Sequence, residues 1–221
     1  MSNLIPSEND TNSIQPTQLF SKSLLSTLDC VMEFAESTID TVIDSDAVKS
    51  IPILSVIKAG VDVGKSVHQR HELKKLVLFF QKLNSHRFDD SMLNMKEKML
   101  SDKSYLEKES ELALIVLEQF VDAQKAILLA EVFYFRISEK ITQAQYEELI
   151  YIIGQIHCAD IIVLKLIEDG NCKQMESEHI SAINRLVASG IVYQGVLDAN
   201  GICYNHYKAA SIGKILCNVV Y

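Results

Sequence analysis

The chain has 221 residues, enough for one large domain or two small ones with a sizeable apolar core. Eight glycines, three prolines and no tryptophan argue against a turn-rich all-β fold, and the abundance of Leu, Ile, Glu and Lys favours helices. A formal net charge of −8 repels nucleic acid and anionic lipid in bulk, so either would require a local basic patch.

The first 16 residues are rich in Ser, Asn, Thr and Pro and are expected to form a disordered tail. From Thr17 to Ser45, Leu24, Leu28, Val31, Ala35 and Val42 recur at helical spacing, widened by Leu25, Met32 and Ile39. Between Asp29 and Asp46 this helix carries six carboxylates and no Lys or Arg. Pro52 opens the next expected helix, 52–84, with Ser50 or a neighbour as its cap. Its charge is opposite: from Lys58 to Arg87 there are seven Lys and Arg against Asp62 and Glu72. Lys58, Lys65, Lys75 and Lys82 fall close to one face, because multiples of seven residues return near the same side of a helix. An acidic helix followed by a basic one is expected to form an antiparallel hairpin.

Further helices are expected at 89–101, 105–121 and 123–138, the last opening near Asp122. Thr142 is the expected cap of a long helix reaching Glu168, which Asp169-Gly170-Asn171 ends. A short amphipathic helix, Ser177 to Ser189, runs into Gly190 and a β-rich Ile191-Val192-Tyr193. A turn at Asp198-Ala199-Asn200-Gly201, a second strand Ile202-Cys203-Tyr204 and an apolar stretch from Ala209 to Val220 complete the chain. The expected organisation is mainly α: a helical bundle over 17–140, then a module over 141–221 with a small β-ribbon.

The order helix, Gly, strand, turn, strand over 141–221 resembles the winged-helix family. The phrase Ile183-Asn184-Arg185-Leu186-Val187-Ala188-Ser189-Gly190-Ile191-Val192 carries the resemblance. In that family the second helix of the helix-turn-helix enters the DNA major groove and the wing touches the backbone. The resemblance therefore implies a reader helix at 177–189, a wing at 194–205, and DNA-facing positions His179, Ser181, Asn184, Arg185 and Lys208. Charge argues against it: from Lys173 onward four Lys and Arg stand against three acids, and the wing has no cation. The whole arrangement is similar to uncharacterised bacterial or phage-borne helical proteins ending in a winged helix, which implies roles in phage–host conflict or toxin regulation.

No phosphate-loop, dinucleotide, zinc-protease or nucleophile-elbow motif is present, and adjacent carboxylates such as Glu147-Glu148 point apart on a helix. His157-Cys158 is no catalytic dyad for the same reason. His68, His71 and Glu72 could contribute metal ligands, as could Cys172, Glu176, His179, Cys203 and His206, but none of these spacings is a zinc pattern. The five cysteines, Cys30, Cys158, Cys172, Cys203 and Cys217, form no CxxC pair, as suits reduced thiols. No signal peptide is expected, and no stretch reaches about 18 uncharged apolar residues.

The reading that follows is a cytoplasmic, non-catalytic interaction or regulatory protein without cofactor or metal. Its bundle binds or oligomerises, and its winged-helix-like surface docks a protein partner. The first alternative is a DNA-binding regulator acting through the positions named above. The second is membrane association through Lys58, Lys65, Lys75 and Lys82, with Gly60 and Gly64 permitting close helix packing.

Overall fold

The computed structural model describes residues 15–29, 51–55, 67–87, 89–171, 177–195 and 207–221. Within them the chain is mainly helical, with α1 (Pro16–Asp29), α2 (Val67–Asn84), α3 (Asp90–Ser101), α4 (Lys103–Gln119), α5 (Lys125–Ile137), α6 (Gln143–Gln155) and α7 (Asp160–Glu168). A 3-10 turn, Ser177–His179, then leads into α8 (Ile180–Ala188), strands β1 (Val192–Gln194) and β2 (Tyr207–Ala209), and α9 (Ser211–Val220). Residues 1–14 of the expected tail, the acidic stretch beyond Asp29, Lys58, Lys65 and the Gly60–Gly64 pair lie outside the described residues, and Pro16 already belongs to α1. So do Cys172, Glu176, the wing turn, Cys203 and His206.

The most apolar stretch of the bundle, α5, takes the central position, packed against α2, α4, α6 and α9. Its Ala126, Leu129, Ala130, Val132 and Phe133 are fully buried. Phe133 stands edge-on to Phe79 of α2 at 5.6 Å and to Tyr146 of α6 at 6.4 Å, and Phe79 and Phe80 in turn meet Phe20 of α1. These offset and edge contacts are the arrangement ring quadrupoles favour. One continuous core runs from Phe20 to Val219, because α9 closes on both α5 and α6.

Two expectations about helices are corrected. Phe20 meets Phe79 and Phe80 while Thr27, further along α1, accepts a hydrogen bond from Asn84 Nδ2 at 2.5 Å. The contacts thus advance in the same direction along α1 and α2, not in the opposite directions of an antiparallel hairpin. The long helix from Thr142 to Glu168 is two helices. Thr142 does cap the first, through a reciprocal box with Gln145. At buried Ile156 the backbone turns extended, and the Asp160 carboxylate accepts a hydrogen bond from the His157 N–H at 2.8 Å. That reach-back from the first residue of the helix starts α7 on a new axis.

Gly190 sits at φ +76° and ends α8: the Ile191 N–H bonds back to Leu186 and the Gly190 N–H to Val187. This paired closure needs a left-handed residue just past the helix. β1 follows and pairs antiparallel with β2 in the register Val192↔Ala209, Tyr193↔Lys208 and Gln194↔Tyr207. The partner strand is therefore 207–209, while the expected strand 202–204 lies outside the described residues. Val192 and Ala209 are buried on the inner face of the ribbon, and Tyr193 and Lys208 are exposed on the outer one. The expected last apolar stretch is α9, whose Gly213 presses against the Ile191 carbonyl oxygen.

Candidate functional site

The surface of α8 is built on its amphipathicity. Ala182, Ile183 and Leu186 enter the core against α7. The opposite face presents Ile180, Asn184 and Val187, which share one side of a helix at spacings of four and three. Ile180 is 54% exposed and Val187 41% exposed. Ser181 is exposed beside them, and His179 is half-buried in the preceding turn.

Arg185 is the only cation of α8, and its guanidinium is committed. Its Nε donates to Asp160 Oδ2 at 2.8 Å and its Nη2 to Asp160 Oδ1 at 2.6 Å. Burial opposes ionisation of Asp160, but the hydrogen bonds from Arg185 and the His157 N–H outweigh it and hold the carboxyl below its usual range. The same pairing raises Arg185. Nearby, Lys165 pairs with Asp169 and Lys214 approaches Glu168 at 3.8 Å. Lys208 stays exposed on β2 opposite Tyr193. Of the five expected DNA-facing residues, Ser181, Asn184 and Lys208 are on the surface, whereas Arg185 is turned onto α7.

The basic face expected on 52–84 is not a basic face at Lys75 and Lys82. Lys75 is 1% exposed. Its ammonium donates to the carbonyls of Glu118 and Phe120 at 3.2 and 3.1 Å and pairs with Glu72 at 2.8 Å. It closes the carboxyl end of α4, where unpaired carbonyls need a donor. Lys82 pairs with buried Glu131, which also receives His86 Nε2 at 2.7 Å. His86 lies flat on the Tyr134 ring at 3.9 Å, the Tyr134 hydroxyl donates to Asp89, and Lys140 donates to that hydroxyl at 2.7 Å. Burial pushes Glu131 up, yet the bonds from His86 and Lys82 prevail and its carboxyl lies below the usual value. This network spends its charges internally, joining α2 to α5.

A cleft of about 770 Å³ opens where the end of α4, the 120–124 loop and α6 meet. Its walls include Val116, Phe120 and Ile150, and at its edge Val121 is 91% and Tyr151 70% exposed. Lys125 donates across it to the Gly154 carbonyl at 2.8 Å. The neighbouring Cys158 thiol is pushed up to about 11 by burial and by Asp122, so at neutral pH it is protonated and a poor nucleophile. Among the described residues no three His, Cys, Asp or Glu side chains could hold a metal ion together. No described helix is long and apolar enough to cross a membrane.

Asp160 as the partner of Arg185 escaped the sequence, although Asp three residues after His157 was a readable reach-back signal. The cleft left no such signal, because two separated stretches of chain, 116–125 and 147–157, contribute to it. No protein family matches the chain, and comparison with curated proteins and with solved structures finds no similar chain.

Proposed function

We propose that this is a non-catalytic interaction protein whose α7–α8–ribbon unit acts as a winged-helix-like module docking a protein partner through the outer face of α8. The observation that carries the reading is the Arg185–Asp160 pair. With Arg185 turned onto α7, the outward stripe Ile180, Asn184 and Val187 is uncharged, with two aliphatic side chains flanking an amide. A DNA reader draws most of its affinity from phosphate contacts by Lys and Arg, and such a stripe supplies none. Exposed aliphatic residues in that position suit a protein surface or a second copy of the chain instead. The order of α7, α8, β1 and β2 supports a winged-helix-like assignment for this unit, with the helices before residue 141 as its scaffold.

The test has two arms. A photo-reactive residue at Asn184 should cross-link a discrete protein or a second copy, and Ile180→Glu with Val187→Glu should abolish that product while leaving the circular dichroism spectrum intact. Labelled duplex DNA titrated at about 50 and 200 mM salt should show no binding; micromolar binding with a steep salt slope would replace this reading with a DNA-binding one.

A further inference from the structure

The cleft between the end of α4, the 120–124 loop and α6 joins an apolar floor to an acidic rim. Val116 and Phe120 are buried in the floor beside half-buried Ile150, and Val121 and Tyr151 stand largely exposed on its two walls. Its volume, about 770 Å³, lies within the range of about 300–1,000 Å³ in which ligand sites fall. Two carboxylates flank this apolar surface, Asp122 on the loop and Glu147 one turn before Tyr151 on α6. Asp122 Oδ1 accepts the Gln124 N–H at 2.9 Å and Glu147 Oε1 accepts from Gln143 Nε2 at 2.8 Å, both neutral donors from the same stretch of chain. Among the described residues neither carboxylate forms an ion pair. Lys125, the lysine of the cleft, is engaged with the Gly154 carbonyl at 2.8 Å, and its ammonium stands 5.9 Å from the centre of the Phe120 ring. Lys75 holds the carbonyls of Glu118 and Phe120 at the end of α4. Both helix ends that meet here thus already draw an ammonium, as the partial negative charge of a helix carboxyl end favours.

We propose that this cleft docks a basic segment of a partner protein, one with an apolar centre. An aliphatic or aromatic side chain of the segment covers Phe120, Ile150 and Tyr151, and flanking Lys or Arg residues reach Asp122 and Glu147. An acidic segment would meet two like charges, and a purely apolar one would desolvate both carboxylates without giving them a partner. The two carboxylates belong to different walls, and exposed Val121 and Tyr151 carry the apolar surface past the floor, so a length of chain fits better than one small cation. Gln119 and Gln155, exposed on the same walls, offer amides to its backbone. The net charge of −8 attracts a basic segment at long range and disfavours a second copy of this chain, which carries the same charge. The cleft shares no residue with the outward stripe of α8, so the inference does not rest on the docking reading for that helix.

The test is fluorescence anisotropy of a labelled six-residue peptide, Leu-Phe flanked by two lysines on each side, titrated with the full chain at about 50 mM salt. Saturable binding is expected, and the same peptide with glutamates in place of its lysines should not bind. Asp122→Asn combined with Glu147→Gln should weaken binding about five- to tenfold and flatten its salt dependence. Val121→Ser combined with Tyr151→Ser should weaken it too, but leave the salt dependence as it was. All four positions are exposed, and circular dichroism checks that each variant is folded. Ile180→Ser with Val187→Ser should bind the peptide like the wild type, which separates this site from the α8 surface. No saturable binding, equal binding of the basic and acidic peptides, or an affinity indifferent to the carboxylate variant would overturn the proposal. So would a dimer in sedimentation that Val121→Ser with Tyr151→Ser abolishes, because a second copy would then fill the cleft.

Discussion

Arg185 and Asp160 face each other across the α7–α8 junction in a two-pronged pair, Nε to Oδ2 at 2.8 Å and Nη2 to Oδ1 at 2.6 Å. The carboxylate also receives the His157 N–H, so one buried Asp fixes the start of α7 and the roll of α8 about its axis. That roll determines which residues face outward, and the exposed stripe on α8 follows from it.

Asp160→Asn should therefore destabilise the fold by about 1–3 kcal/mol at neutral pH, since it weakens the pairing of a buried carboxylate with a part-exposed guanidinium and a helix start together. The Asp160 carboxyl lies below its ordinary value, so its contribution is complete above about pH 4 and is lost as the pH falls through the folded value. Urea denaturation of wild type and variant should differ most near pH 6 and converge toward pH 3. A constant difference across that range would mean that the charge is not what the site uses.

Two buried glutamates on neighbouring helices should show opposite pH behaviour. Glu131 is held low by His86 and Lys82 against burial, so its stabilisation is present above about pH 4.3 and lost below it. Glu109 is held high because burial outweighs Arg136, so its favourable share is full below about pH 4.3 and fades as the pH rises through its folded value. Glu131→Gln is expected to cost about 1–3 kcal/mol at pH 7 and less at pH 4. Glu109→Gln keeps an oxygen for Arg136 and should cost less at pH 7 than Glu131→Gln does. Stability profiles of the two variants with the same sign of pH dependence would contradict this assignment.

Gly213→Ala tests the closure of α9 on the ribbon. An added Cβ would fall on the Ile191 carbonyl oxygen, which is already fixed by accepting the Ala210 N–H at 2.8 Å. Backbone cannot swing away as a side-chain tip can, so a loss of about 1–3 kcal/mol is expected. For a chain of this size that is a fall in Tm of about 2–4 °C per kcal/mol. An unchanged Tm would mean that α9 sits further from β1 than the contact indicates.

The sequence made the helices legible where caps and periodicity agreed. Thr142 with Gln145 marked the start of α6, and Gly170 and Gly190 marked the ends of α7 and α8 at positive φ. It failed where a tertiary contact overrode periodicity. Leu149, Ile152, Ile153 and Ile156 lead into Ile161, Leu164 and Ile167 without Pro, so the break at Ile156 is visible only through Asp160. The same limit applies to charge. A heptad spacing places Lys75 and Lys82 on one side of α2 but cannot reveal that this side faces α4 and α5. For the surface of α8, neither the outward Ile180 and Val187 nor the commitment of Arg185 could be read from spacing, because apolar residues at 180, 183 and 187 share a helical period whichever side is buried.

Lys75 and Lys82 give the last contrast, because sequence treats them as equivalent and the structure does not. Lys75 is buried and supplies the donor for two carbonyls at the end of α4, so Lys75→Met should strand both and cost about 2–4 kcal/mol. Lys82 is partly exposed, and Glu131 keeps His86 when it is removed, so Lys82→Met should cost about 1 kcal/mol. Chemical denaturation of the two variants at one pH separates them. Equal, negligible losses would place both ammonium groups in solvent and restore a continuous basic face. A large loss confined to Lys75 would leave no such face for lipid or phosphate at these positions, because the first charge is spent on α4 and the second on α5.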